Sequence, residues 1–151
     1  MFESLKKEAV ILYNESQDKE EALNFIIRRT CEVFRITDYD SIISSIIDRE
    51  SKLSTGIGLG IAVPHCRSDK VQKIVMAVML HPSGIEYNSV DGQPVHLIFL
   101  IISPIQDVQG HIAYLSAISH AVSDEETRML LLNSKTQDEL YENLIHTRTW
   151  D

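Results

Sequence analysis

Cysteine and tryptophan are scarce in this chain of 151 residues, which has two of the first and one of the second, together with four prolines and six glycines. The two cysteines, Cys31 and Cys66, lack framework-like spacing, which excludes a disulfide-stapled scaffold and makes free thiols in a reducing cytoplasm the expectation. No segment approaches the ~20 apolar residues of a membrane span, and apolar stretches such as Leu97 to Ile102 are the length of a strand. Basic residues are outnumbered, with 14 Lys and Arg against 22 Asp and Glu and a formal charge of -8. Nucleic acid is therefore an unsuitable partner, because phosphate contacts need clustered Lys and Arg. An acidic surface suits a basic protein partner or serves solubility alone. The start, Met1 to Glu8, has no basic segment leading into an apolar core, so export is not expected.

Hydrophobic residues at 44% and charged residues at 24% are those of a globular protein, and the length fits one domain spanning 1–151. Val10 to Tyr13 reads as a short strand. Asp18 and Glu21 form a capping box ahead of a helix from about Lys19 to Phe34. Asp38 or Asp40 caps a second helix with Ile42, Ile43, Ile46 and Ile47 on its apolar face and Arg49 at its carboxyl end. Lys73 to Leu80 and Val95 to Ser103 read as buried strands, with a break at His81-Pro82-Ser83-Gly84 and a short strand at Ile85 to Tyr87 between them. Helical spacing returns after Asp107, placing His111 in about the first turn. Further helices are expected over Asp124 to Leu132 and, capped by Thr136 and Glu139, through Ile145. Trp150, in the tail, is a candidate to dock on the body. Helices flanking a few apolar strands predict an α/β fold, a three-layer sandwich whose small mixed sheet has helices on both sides.

One stretch organises these elements. Gly56, Gly58 and Gly60 alternate ahead of Ile61-Ala62-Val63, and Pro64 then removes a backbone donor immediately before His65. The histidine is thus expected at the end of a strand or turn. The G-x-G-x-G spacing matches neither the dinucleotide nor the P-loop fingerprint, and no helix signal follows it. A glycine-bearing turn beside a core strand, with His65 merely ending it, is the alternative to a functional site.

The ordered run Arg49-Glu50, Ser54-Thr55-Gly56-Ile57-Gly58 and Gly60-Ile61-Ala62-Val63-Pro64-His65 resembles the signature of EIIA domains of the fructose, mannitol and nitrogen-regulatory class in the phosphoenolpyruvate-dependent phosphotransferase system. The resemblance covers nearly the whole chain and implies the same sandwich architecture. It also implies a cytoplasmic covalent carrier that accepts phosphate on Nε2 of His65 from HPr, or its nitrogen-branch counterpart, and passes it to an EIIB. Arg49 then falls where the family has its phosphate-facing cation, and His111 where it has a second imidazole beside the acceptor.

The chemistry is coherent with those residue types. A neutral imidazole is nucleophilic near its unperturbed pKa of about 6.5, and phosphoryl transfer is mostly positioning and charge neutralisation. Arg49, the hydroxyls of Ser54 and Thr55, and the N–H groups of the segment beginning at Gly56 are candidate phosphate donors, turn chemistry being the competing role for the two hydroxyls. Arg67 is a candidate for added positive potential at the rim, or an ordinary surface arginine. No metal and no cofactor are expected, since adjacent His65 and Cys66 do not readily face one tetrahedral ion with His111. His81, His96, His120 and His146 are expected to be structural or surface residues. No Arg-His-Gly element of the histidine phosphatases occurs. Two roles stay open: transfer in sugar uptake, or a regulatory module whose phosphorylation state controls a kinase, transporter or transcription system. The absence of fused EIIB and membrane EIIC segments leans toward the free-standing, regulatory form.

Overall fold

Six strands, β1 (Val10–Leu12), β2 (Gly56–Gly58), β3 (Ile61–Ala62), β4 (His65–Ser68), β5 (Val75–Ile85) and β6 (Val95–Pro104), make one mixed sheet in the computed structural model, which describes residues 5–15 and 17–147. The order along the sheet is β1-β5-β6-β3-β2, with β4 also on β6. β6 is central because its side chains are apolar on both faces, a composition accommodated only between two covering layers. It runs antiparallel to β5 and parallel to β3 and β4.

Alternation along the strands divides the core in two. Leu97, Phe99 and Ile101 join Met76, Val78 and Leu80 on one face, covered by Ile118 and Val122 of α3 (Val108–Ser123), Leu131 of α4 (Glu125–Leu132) and Leu140 of α5 (Gln137–Ile145). Ile98, Leu100 and Ile102 point the other way with Ala77 and Met79, against Leu23 and Ile26 of α1 (Lys19–Phe34) and Ile42 and Ile46 of α2 (Tyr39–Lys52). The result is the expected three-layer α/β sandwich. Its helices start where the sequence signals them: Asp18 and Glu21 complete the capping box of α1, Asp38 rather than Asp40 caps α2, and Asp107, Asp124 and Thr136 cap α3, α4 and α5.

Two expectations about breaks are corrected. The His81-Pro82-Ser83-Gly84 segment does not end the strand; β5 continues to Ile85 through a register shift between Leu80 and Ile85, with Gly84 at φ 82° supplying the irregular turn of backbone. Pro64 also fails to end its strand line. Ile61 and Ala62 pair with Leu97 and Ile98, and His65 and Cys66 pair with Ile101 and Ile102, so one register spans the proline. β4 has β6 as its neighbour, and the Pro64 carbonyl still accepts from Ile101 N at 3.1 Å, so the missing N–H interrupts no ladder. His65 therefore opens a strand. The expectation for Trp150 falls outside the described residues.

Candidate functional site

Because β4 is an edge strand, the two helical layers come together over it. The last turn of α2, from one layer, and the first turn of α3, from the other, flank an open cleft of about 740 Å³ lined by Asp48, Arg49, His65, Arg67, Ile105 and His111 among others. The strand's alternation sends Cys66 into the core beneath α1 and α2. His65 is paired to Ile101, which packs on the α3 side, and so faces His111. The two imidazoles lie edge to face, with ring centroids 5.3 Å apart and planes at 60°.

The half-buried His65 has its Nδ1 at 2.7 Å from the carbonyl oxygen of Val63. A carbonyl can only accept, so in the neutral ring the proton sits on Nδ1 and Nε2 keeps its lone pair. The unprotonated nitrogen is thus Nε2, the one that the resemblance implies as the acceptor. His111 is held in the first turn of α3, whose start is fixed by Asp107: its carboxylate accepts from Gly110 N at 2.9 Å and its carbonyl from His111 N at 3.1 Å. His111 Nδ1 is 2.7 Å from the hydroxyl of Ser103, a fully buried residue of β6. Burial, followed by the nearby His65 and Arg67, lowers the pKa of His111 from its ordinary 6.5, with Asp107 opposing. The neutral form is thereby favoured.

Two guanidinium groups complete the lining. Arg49, in the last turn of α2, donates from Nη1 to the carbonyl of Leu53 at 2.6 Å, and Arg67 donates to the carbonyl of Ile105 at 3.3 Å. The Asp48 carboxylate in the same cleft pairs with Lys52 at 3.3 Å. A dianionic group entering between the imidazoles would meet two cations and the bare Nε2 of His65. Among the described residues no cluster of three His, Cys, Asp or Glu side chains could hold a metal ion.

Ser54, Thr55 and Gly56 do not line this cleft. Ser54 Oγ donates to Tyr87 O at 3.1 Å and accepts from Gly56 N at 3.1 Å. Thr55 is buried, and both its N–H and its hydroxyl bond the carboxylate of Glu50. Leu59 N goes to Asp91 at 2.9 Å, so the Gly56 and Leu59 N–H groups are both spent on internal contacts. Glu50 is the residue sequence reasoning passed over. Its side chain is 4% exposed, takes Lys19 Nζ at 3.0 Å, and sits with Thr55 and the fully buried Tyr87 in one network. The signal was available: Ile42, Ile46 and Glu50 recur every four residues, which puts a carboxylate in phase with the apolar face of α2. Desolvation and the Glu50 charge raise the Tyr87 pKa, keeping the phenol protonated.

The other histidines divide as expected into structural and surface residues. His81 is fully buried and His96 Nδ1 lies 3.1 Å from its carbonyl, while His120 and His146 are exposed.

Comparison with known proteins bears on this geometry. The family described as phosphoenolpyruvate-dependent sugar phosphotransferase system, EIIA 2, matches residues 3–147. The chain belongs to this family. Among relatives of the EIIA 2 chain, it is 30% identical over 130 residues, 86% of its length and 84% of the relative's, to the PTS system fructose-specific EIIA component of Haloferax volcanii. It is 29% identical over 126 residues, 83% of its length and 79% of the other's, to a nitrogen regulatory protein of Pseudomonas aeruginosa. The crystal structure of nitrogen regulatory protein IIA-Ntr from Neisseria meningitidis shares the fold, with a TM-score of 0.83, 24% identity and coverage of 94% of this chain and 97% of that one. EIIA 2 proteins are components of a phosphotransferase system, and among the described residues no helix is long and apolar enough to cross a membrane.

Proposed function

We propose that this EIIA protein is a phosphohistidine carrier of the cytoplasm that takes its phosphoryl group on Nε2 of His65 from HPr or a nitrogen-branch counterpart. The observation that carries the reading is the 2.7 Å hydrogen bond from His65 Nδ1 to the Val63 carbonyl, which leaves Nε2 as the nucleophile in a cleft with two guanidinium groups. In the transfer, the Nε2 lone pair forms a bond to phosphorus as the donor's N–P bond breaks, and that electron pair returns to the donor imidazole. The His65 proton stays on Nδ1, where Val63 O supports the positive charge that the ring acquires. Arg49 neutralises phosphoryl oxygens, and His111 donates one N–H to them. The next step repeats the exchange toward an EIIB nucleophile.

The test is incubation with phosphoenolpyruvate, enzyme I and HPr. Wild type takes one label and His65→Ala none; label on the variant at the wild-type rate refutes the assignment. A regulatory role is the second reading, favoured by similarity to a nitrogen regulatory protein at a level close to that of the fructose-specific relative. Offering the phosphorylated protein to EIIB domains separates the two, since a regulator finds no productive acceptor.

A further inference from the structure

Ser103 deepens this reading, because its hydroxyl is placed to choose which nitrogen His111 presents to the cleft. The hydroxyl lies 2.7 Å from His111 Nδ1, and the residue, the penultimate one of β6, is 0% exposed. Two arrangements of the shared proton are chemically available. With the hydroxyl donating, Nδ1 is the acceptor and the neutral ring carries its proton on Nε2. With Nδ1–H donating, Nε2 is bare, and the serine O–H needs an acceptor of its own in a place closed to water.

The second arrangement is the costly one. His111 is the hydrogen-bond partner that the described residues give the Ser103 hydroxyl, and a buried O–H without an acceptor loses its hydration uncompensated. It also sets two bare Nε2 atoms in neighbouring rings, one on His65 and one on His111, where an entering phosphoryl group brings only acceptor oxygens. The first arrangement satisfies the hydroxyl, uses Nδ1 and offers an Nε2–H to those oxygens. Register reinforces the placement: Ser103 pairs across the sheet with Arg67, two residues beyond His65, so the serine and the acceptor histidine are carried on adjoining strands of one rigid element.

We propose that Ser103 is a positioning residue, whose buried hydroxyl donates to His111 Nδ1 and locks that ring as the Nε2–H tautomer, ready to donate to the phosphoryl group on His65. The inference rests on the carrier function above, with the hydroxyl acting through His111 and not on phosphorus. A free neutral imidazole interconverts between tautomers, so the contribution of the serine is to remove the unproductive one and fix the ring's orientation.

The experiment reads the ring nitrogens directly. Wild type, Ser103→Ala and Ser103→Thr are labelled with 15N-histidine and recorded unphosphorylated at about pH 8, where an imidazole with an ordinary or lowered pKa is neutral. The expected result is a wild-type His111 with Nε2 protonated and Nδ1 bare, shifts averaged toward a tautomer mixture in Ser103→Ala, and the wild-type pattern restored by threonine. Phosphoryl acceptance from HPr is expected to slow about three- to tenfold in the alanine variant and to recover in the threonine variant, as for loss of part of one charge-assisted hydrogen bond. A wild-type proton on His111 Nδ1 overturns the proposal, as does an alanine variant whose nitrogen shifts and rate equal those of wild type. The spectrum needs no phosphoryl donor, so it judges Ser103 independently: a locked Nε2–H ring in a protein that takes no label sinks the carrier function alone.

Discussion

Replacing Glu50 by alanine tests the idea that the site's scaffold hangs on one buried carboxylate. Glu50 accepts from the Thr55 amide at 3.0 Å, from the Thr55 hydroxyl, and from Lys19 Nζ at 3.0 Å. Each buried donor left without a partner costs about 1–3 kcal/mol, and removing one member of a buried ion pair about 3–5 kcal/mol. These are not additive here. The Lys19 side chain is 26% exposed, keeps a bond to Tyr87 O at 3.2 Å and lies 4.3 Å from the Tyr87 ring centroid, so it recovers solvation by a small movement. A loss of about 3–5 kcal/mol is expected, a large share of the roughly 5–15 kcal/mol that holds a domain together. With an m-value of about 2 kcal/mol per molar, the urea midpoint falls by roughly 2 M without a change in slope. Glu50→Gln retains an acceptor for the Thr55 amide and falls between. Lys19→Met combined with Glu50→Gln should show coupling of about 1–2 kcal/mol. A Glu50→Ala protein within about 0.5 kcal/mol of wild type by urea titration would refute the reasoning, because that is the range of an ordinary surface change.

The remaining perturbations probe the site and its frame. A Cβ on Gly56 runs into the Ser89 side chain and within 3.0 Å of its Cα, so Gly56→Ala should cost about 1–3 kcal/mol by thermal or chemical unfolding. Arg49→Lys keeps the charge but loses the planar fork, and single-turnover labelling from phosphorylated HPr should slow about tenfold, with alanine slower still. Burial pushes the Cys66 thiol up to about 12 and Cys31 to about 11 from an ordinary 9.0, so both should resist iodoacetamide in native protein and react fully in urea. The lowered pKa of His111 means that the unfolded chain binds its proton first as pH falls below 6.5. Stability therefore rises with pH across the window just under that value, and a His111→Gln variant should lose less stability than wild type between about pH 7 and pH 5.

Much of the fold was legible because local and global signals agree. Asp18 with Glu21, Asp38, Asp107, Asp124 and Thr136 mark helix starts by the same chemistry that satisfies orphan N–H groups in the structure. The breaks were misjudged for a topological reason. A proline stops a strand that has neighbours on both sides, and sequence does not say that, among the described residues, β4 pairs with β6 alone, so the edge position cancels the consequence that Pro64 suggests. At His81-Pro82-Ser83-Gly84 the same local signal is absorbed by a bulge.

The site was legible in its charged and imidazole groups and illegible in its supports. His65, His111 and Arg49 are side chains whose chemistry is visible in their names, and the structure gathers them from three elements into one cleft. Ser54, Thr55 and Gly56 look identical in sequence whether they face phosphate or Tyr87 and Glu50, since a hydroxyl or amide advertises capacity and not direction. Ser103 illustrates the converse. Near the end of a largely apolar ten-residue strand it reads as a small residue that fits the core, and only its distance to His111 Nδ1 gives the hydroxyl a task. Residues that act on phosphorus must reach an open cleft, while residues that orient them are held in the core. The sequence exposes the first group through chemistry and conceals the second, because a buried polar side chain acquires meaning only from what the fold sets against it.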